Sequence, residues 1–355
     1  MLDFADPGGR KGRQGERLTT LTSLDPRLAD LLERFAAGDR RALARGLTWI
    51  ENQRPGFEEI LHATHAGVGR AFRIGFTGPP GAGKSTLTER YALSCRARGQ
   101  TVGVLAVDPS SPFTGGALLG DRIRMQELTL DEGAFVRSMA SRGRLGGLAT
   151  TSMEAADLMD AFGFDVVIHE TVGVGQTERD IVSAADTTVV VLVPESGDTV
   201  QTMKAGLMEI ADVFVVNKSD RPGADRLARS IRSTLGLRTR RDSGWEPPVV
   251  RTVAVEGEGI GELVEVIDRH RDFGRESGAF ARKRRDRSAE RVRDLVARKL
   301  ERRVWLDGDG ERRLEAALDD IVAGRLSPYA VAEEIVTDAG PGPGRPVGIA
   351  RKEGG

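Results

Sequence analysis

The chain has 355 residues, 39% of them hydrophobic and 5% aromatic, which exceeds one average domain and supplies a sizeable, mainly aliphatic core. Its 52 Lys+Arg and 53 Asp+Glu leave a formal net charge of −1, so global charge gives no argument for binding nucleic acid or a membrane surface. Cys95 is the single cysteine, which excludes an intrachain disulfide, and no apolar run approaches membrane-spanning length; a soluble, cytoplasmic protein is expected.

Residues 1–22 are rich in glycine and charge and read as a disordered leader without a signal-peptide core. A helical segment over 23–70 follows. Asp25-Pro26 has the form of an N-cap with proline at the first helical position, and helices are predicted over Pro26–Ala37, Arg40–Asn52 and Gly56–Gly67. His62 and His65 share one helical face there. With no third His or Cys nearby they read as surface residues rather than a metal pair.

From 71 to 273 strand and helix alternate, the pattern of an α/β domain with a mostly parallel sheet covered by helices on both faces. Strands are predicted over Phe72–Thr77, Thr101–Val107, Ala134–Arg137, Asp165–Glu170, Thr188–Val193, Val213–Asn217 and Val249–Val255. Several are nearly continuous aliphatic runs, as a sheet buried on both faces requires. Such sheets place ligands at the carboxyl ends of their strands. Cys95, four residues after Tyr91 on the helix leaving the first strand, reads as a packing residue.

Beyond the helix Gly261–His270 the composition shifts. Arg282–Arg303 holds eleven Lys/Arg and four Asp/Glu, with Val292, Leu295, Val296, Leu300 and Val304 at helical spacing. That stripe favours a packing or dimerising helix with a solvated basic face over a nucleic-acid surface. Leu314–Ala323 and Pro328–Thr337 complete a helical dimerisation arm over 274–339, and 340–355 read as a flexible tail.

The chemistry gathers at the strand ends. Gly78-Pro79-Pro80-Gly81-Ala82-Gly83-Lys84-Ser85-Thr86 has the spacing of a phosphate-binding loop between a strand and a helix. Its glycines let backbone N–H groups converge on phosphate oxygens, and the positive end of the following helix faces the same charge. Lys84 is expected to reach the β/γ-phosphates and the Ser85 hydroxyl to sit on Mg²⁺. Asn217-Lys218-Ser219-Asp220 follows a hydrophobic strand with the N-K-x-D arrangement of guanine recognition. Its terminal carboxylate accepts from the ring N1–H and the exocyclic amine that guanine alone offers together. Lys218 is placed along the base or against the phosphate loop.

Glu170 ends another strand, where an acidic residue can orient Mg²⁺ through water while the Gly173 N–H faces the γ-phosphate. Asp108, at the end of the second strand, adds a carboxylate near the metal; taken alone it would read equally as a helix cap. No catalytic base is evident, and Gln176 sits too far from Gly173 for the usual water-orienting role. The site expected is one for GTP/GDP and Mg²⁺, with Lys84, Asp108, Glu170 and Gly173 around the reacting phosphate and Ser85, Asp108 and Glu170 around the metal.

Gly78–Ser85, Asp108-Pro109-Ser110-Ser111-Pro112-Phe113 with Leu119-Gly120-Asp121-Arg122, Arg142-Gly143 with Leu145-Gly146-Gly147-Leu148-Ala149, and Glu170-Thr171-Val172-Gly173-Val174-Gly175-Gln176 occur in that order. With Asn217-Lys218-Ser219-Asp220 they make the chain resemble the MeaB/ArgK family of GTPases, which includes the human methylmalonic-aciduria type A protein. The resemblance covers roughly residues 27–337.

It implies a P-loop NTPase that acts as a homodimeric GTPase chaperone of a B12-dependent acyl-CoA mutase, usually methylmalonyl-CoA mutase, gating adenosylcobalamin loading and guarding the mutase. It also implies a third switch after the strand Thr188–Val193, with Asp198, Gln201 and Lys204 in its pattern, and a base-backing loop at Val253, Ala254 and Val255. Two departures stand out: His169 precedes Glu170 where the family usually has an aliphatic residue, and Thr252-Val253-Ala254 replaces the usual Ser-Ala. A metal-insertion GTPase of the nickel type would share the fold, but four His and one Cys supply few ligands. An ArgK-like transport-associated kinase is the other alternative, and it lacks a kinase catalytic loop.

Overall fold

Aliphatic runs rich in Val and Ile form seven parallel strands, and the segments between them form the covering helices. The computed structural model describes residues 25–108, 125–140, 147–171, 185–194, 207–236 and 244–338. In chain order the elements are α1 (Pro26–Ala36), α2 (Arg40–Glu51), α3 (Phe57–Thr64), β1 (Phe72–Thr77), α4 (Lys84–Ala97), β2 (Val102–Asp108), α5 (Gln126–Leu130), β3 (Ala134–Ala140) and α6 (Gly147–Phe162). Next come β4 (Val166–Thr171), β5 (Thr187–Leu192), α7 (Met208–Ile210), β6 (Val213–Asn217), α8 (Ala224–Gly236), β7 (Val249–Thr252), α9 (Ile260–Glu276), α10 (Ala279–Trp305), α11 (Gly310–Val322) and α12 (Pro328–Asp338).

The strand order is β3-β2-β4-β1-β5-β6-β7. β1 therefore lies between β4 and β5, and the crevice outside its carboxyl end is the switch point at which such sheets bind ligands. Every residue of β4, β5 and β6 is buried, which explains their lack of polar alternation.

One face packs Phe76, Leu87, Tyr91, Ile168, Leu263 and Ile267 into a single cluster. Cys95 is buried in it, and burial pushes its thiol above the ordinary range. The other face receives the N-terminal helices: Leu31, Leu43, Leu47 and Ile50 pack with Ala155, Leu158 and Met159 of α6 and with Val167. Asp25 caps α1 by accepting from the Arg27 N–H at 2.8 Å, and Asp39 caps α2 through the Arg41 N–H at 2.7 Å.

A buried polar network seats the chain as it enters the sheet. Asp160 accepts from the N–H groups of Gly69, Arg70 and Ala71 at 2.8–3.0 Å, and from the Arg73 guanidinium at 2.9 Å. Asp157 takes the same guanidinium at 2.7 Å. Burial pulls Arg73 down, but the two carboxylates outweigh it and hold the guanidinium above its ordinary value.

Several boundaries differ from the sequence reading. The third helix ends at Thr64 and tightens into a 3₁₀ turn over His65–Gly67; His62 and His65 are exposed, and among the described residues no group of three His, Cys, Asp or Glu could hold a metal ion. β3 runs on to Ala140 because β2 pairs with it along its whole length. β7 stops at Thr252, since the Val253 N–H turns back to the Glu258 carbonyl at 3.1 Å.

The chain divides into two compact units, Met1–Lys283 and Arg284–Gly355. In the second, Val331 and Ile335 are buried while Val292, Val296 and Leu300 remain 51–60% exposed. No described helix is long and apolar enough to cross a membrane.

Candidate nucleotide site

β1 delivers the chain into the loop Gly78–Gly83, and α4 begins at Lys84. Two glycines are required by close approach as well as by their backbone angles. A Cβ on Gly78 would collide with the Val191 carbonyl of β5, and one on Gly83 (φ +85°) would collide with the Asn217 side-chain amide. Pro80 and Gly81 are exposed at the rim and Ala82 is buried beneath them. Lys84 folds back over the loop and donates to the carbonyls of Gly78 at 2.8 Å and Pro79 at 3.0 Å. Its ammonium thus lies inside the curl of the loop. Thr86, half-buried, follows on the first turn of α4.

Ser85 and Glu170 meet although 85 residues separate them: the Ser85 hydroxyl donates to Glu170 Oε1. The contact is a consequence of β1 and β4 being neighbours, with Phe76 paired to Glu170. One residue on, the Thr171 hydroxyl is 3.1 Å from that of Thr77, tying the two strand ends together. A hydroxyl beside a carboxylate is an oxygen donor set of the kind that suits a hard divalent cation such as Mg²⁺. Asp108 stands at the carboxyl end of β2, which flanks β4 on its other side. Burial and the neighbouring Glu127 push the carboxyl of Glu89, one turn past Ser85, above its ordinary range.

The Asn217–Asp220 motif is fastened to the phosphate loop. Asn217, 2% exposed, donates its side-chain N–H to the Ala82 carbonyl at 2.8 Å. Its Oδ1 accepts from the Thr252 hydroxyl at 3.0 Å and from the Ala254 N–H at 3.1 Å. Lys218 adopts a left-handed backbone (φ +56°), uncommon for a residue with a side chain, and the Ser219 N–H bonds the Thr252 carbonyl at 3.0 Å. This turn leaves Asp220 exposed. Val253 and Ala254 are buried and Val255 projects outward.

The structure thus brings together Gly78–Thr86 with Glu170, and Asn217 with Ala254. Gly173, Asp198, Gln201 and Lys204 lie outside the described residues. One contributor, Arg90, carried no sequence signal, and a second, Thr252, stood out in the sequence only as part of the departure from the usual Ser-Ala. Arg90, on α4, donates to the Val255 carbonyl at 3.2 Å and so braces the outer end of the base loop. Thr252 shares the acceptor on Asn217. Neither belongs to a spacing motif, because each acts through a contact between distant segments.

Known proteins resemble the chain over most of its length. Residues 43–309 match the family model described as methylmalonyl Co-A mutase-associated GTPase MeaB. A protein of Pyrococcus abyssi designated a GTPase is 52% identical over 270 residues, 76% of this chain and 83% of that one. The mouse methylmalonic aciduria type A homolog, mitochondrial, is 33% identical across 88% of this chain and 80% of its own. The crystal structure of an LAO/AO transport system kinase superposes with a TM-score of 0.67 at 29% identity, covering 89% of this chain and 98% of that one.

Proposed function

The chain belongs to the MeaB family of GTPases, and from that premise we propose that it is a nucleotide-gated chaperone of a B12-dependent acyl-CoA mutase, methylmalonyl-CoA mutase or a close relative. It is a GTPase with the P-loop fold. The observation that carries the nucleotide reading is the Asn217 side chain, which joins the phosphate loop at Ala82 to the base loop at Ala254. One residue thereby sets the distance between the groups that hold the triphosphate and those that read guanine.

In this reading the loop amides and Lys84 neutralise the phosphates, Gly173 faces the γ-phosphate, and Asp220 reads the base, with Lys218 beside it. Ser85 and Glu170, with Asp108, would hold Mg²⁺, whose chemistry there is to offset charge on the β- and γ-oxygens. Water attacks the γ-phosphate in line. With no evident side-chain base, intrinsic turnover is slow and a partner accelerates it.

GTP turnover then gates adenosylcobalamin loading and guards the mutase, in the cytoplasm. Asp198, Gln201 and Lys204 couple nucleotide state to the partner. The chain acts as a homodimer, with Val292, Leu295, Val296 and Leu300 on the contact face; the exposure of Val292, Val296 and Leu300 supports this, since burying each would contribute about 1.5–3 kcal/mol at most. Nickel insertion is disfavoured by the scarcity of His and Cys and by the burial of Cys95. A transport-kinase role, which the solved relative's title names for that protein, is disfavoured by a guanine-reading motif.

GTP hydrolysis measured with and without the purified mutase tests the proposal. Wild type is expected to accelerate and Lys204→Ala to bind GTP nearly normally without acceleration. Absence of any mutase effect on wild-type turnover, together with no nucleotide effect on cobalamin loading, would remove the chaperone role.

A further inference from the structure

Nothing in the nucleotide chemistry above uses His169. It is fully buried in β4, immediately before Glu170. Strand alternation sends the two side chains to opposite faces of the sheet. Glu170 goes to α4, where it meets Ser85, and His169 goes to α6, where its Nδ1 is hydrogen-bonded to the buried Ser152 hydroxyl at 3.2 Å. In register His169 lies beside Gly75 on β1 and Leu105 on β2.

α6 is therefore fastened to the sheet at two levels. Near its carboxyl end Asp157 and Asp160 hold Arg73 at the start of β1, an ionic attachment far from the site. Near its amino end the attachment is the Ser152–His169 hydrogen bond, one residue from the Glu170 carboxylate. An aliphatic residue in place of His169 would remove this directional bond between α6 and the end of β4, and packing fixes position along the strand less sharply.

We infer that His169 is a positioning residue: by bonding Ser152 it fixes the end of β4, and so the distance of the Glu170 carboxylate from Ser85. The inference rests on the reading that Ser85 and Glu170 hold the divalent cation. It needs no change of protonation, only the bond.

The test compares wild type with His169→Leu, His169→Asn, Ser152→Ala and the His169→Leu/Ser152→Ala double variant. Three quantities are read: the Mg²⁺ concentration that half-maximally slows release of fluorescent GDP, GDP affinity without Mg²⁺, and the thermal midpoint. His169→Leu and Ser152→Ala should each raise the Mg²⁺ requirement roughly 3–10-fold, the worth of one neutral hydrogen bond, with metal-free GDP affinity within about twofold. The double variant should be no worse than the poorer single one, and His169→Asn, which can still bond Ser152, should recover most of the loss.

A merely structural residue would lower the thermal midpoint without moving the Mg²⁺ requirement. An unchanged requirement in folded His169→Leu, or in Ser152→Ala should the former not fold, overturns the inference, as do additive effects in the double variant. If wild-type release is itself indifferent to Mg²⁺, the cation assignment falls and this inference falls with it, a result distinct from loss in the variants alone.

Discussion

The side-chain amide of Asn217 bonds the carbonyl of Ala82, so the end of β6 and the phosphate loop are one rigid piece. Replacing Asn217 by alanine would strand the Ala82 carbonyl, the Thr252 hydroxyl and the Ala254 N–H together. At ~1–3 kcal/mol for a buried group left unpaired, GDP and GTP affinity should both fall by roughly 100-fold. Isothermal titration of the two nucleotides measures it; a loss confined to one of them would contradict the shared role.

Asp220→Asn changes which base is read. The amide oxygen can still accept from the ring N1–H, but the amide nitrogen is a donor where the carboxylate offered an acceptor to the exocyclic amine, so guanine loses that bond and xanthine, with an oxygen there, gains a match. Competition of GTP, XTP and ATP against a fluorescent nucleotide should show preference moving from GTP to XTP. Equal competition by ATP in the unmodified protein would contradict the guanine assignment.

The phosphate loop makes separate predictions for its two polar side chains. Lys84→Ala should abolish hydrolysis and cost ~1.5–3 kcal/mol of GTP affinity, the worth of a charge-assisted hydrogen bond. Ser85→Ala removes the hydroxyl that touches Glu170 and should weaken Mg²⁺-dependent GTP binding more than metal-free GDP binding. Stopped-flow binding with and without Mg²⁺ resolves both; normal turnover in Lys84→Ala would mean that the loop does something else.

Away from the site, Asp160→Ala should destabilise the fold by about 3–5 kcal/mol, because it leaves three N–H groups without their acceptor and removes half of the buried pairing of Arg73. Asp160→Asn should recover only part, since its amide nitrogen cannot accept. Urea denaturation at constant m-value is the measurement, and a change under 1 kcal/mol would mean that water takes over the role.

The strands and the phosphate loop were legible because their signals are local. Val and Ile runs mark a sheet buried on both faces, and Gly78, Gly83 and Lys84 stand at fixed spacing in one segment. Strand order was not legible. That β4 rather than β2 pairs with β1 is what brings Glu170 to Ser85, and no property of either segment states it. Arg90 and Ser152 escaped for the same reason, since a surface arginine and a helix serine look alike wherever they point. The end of β7 was misplaced by three residues because Val253-Ala254-Val255 has strand composition, whereas the turn between Val253 and Glu258 overrides it. Composition sets a preference, and one backbone bond decided against it.

The ammonium of Lys84, resting on two carbonyls of its own loop, bears on which anions the cell can place there. A lone inorganic phosphate or sulfate arriving at the loop must displace those carbonyls to reach the charge, and it has few other contacts with which to offset their loss. A chain of linked phosphates can meet the loop amides at one end while it draws the lysine across at the other, so the exchange favours the longer anion. An ammonium held in this way favours a linked chain of phosphates over a small anion, through an interaction that exists before any ligand arrives.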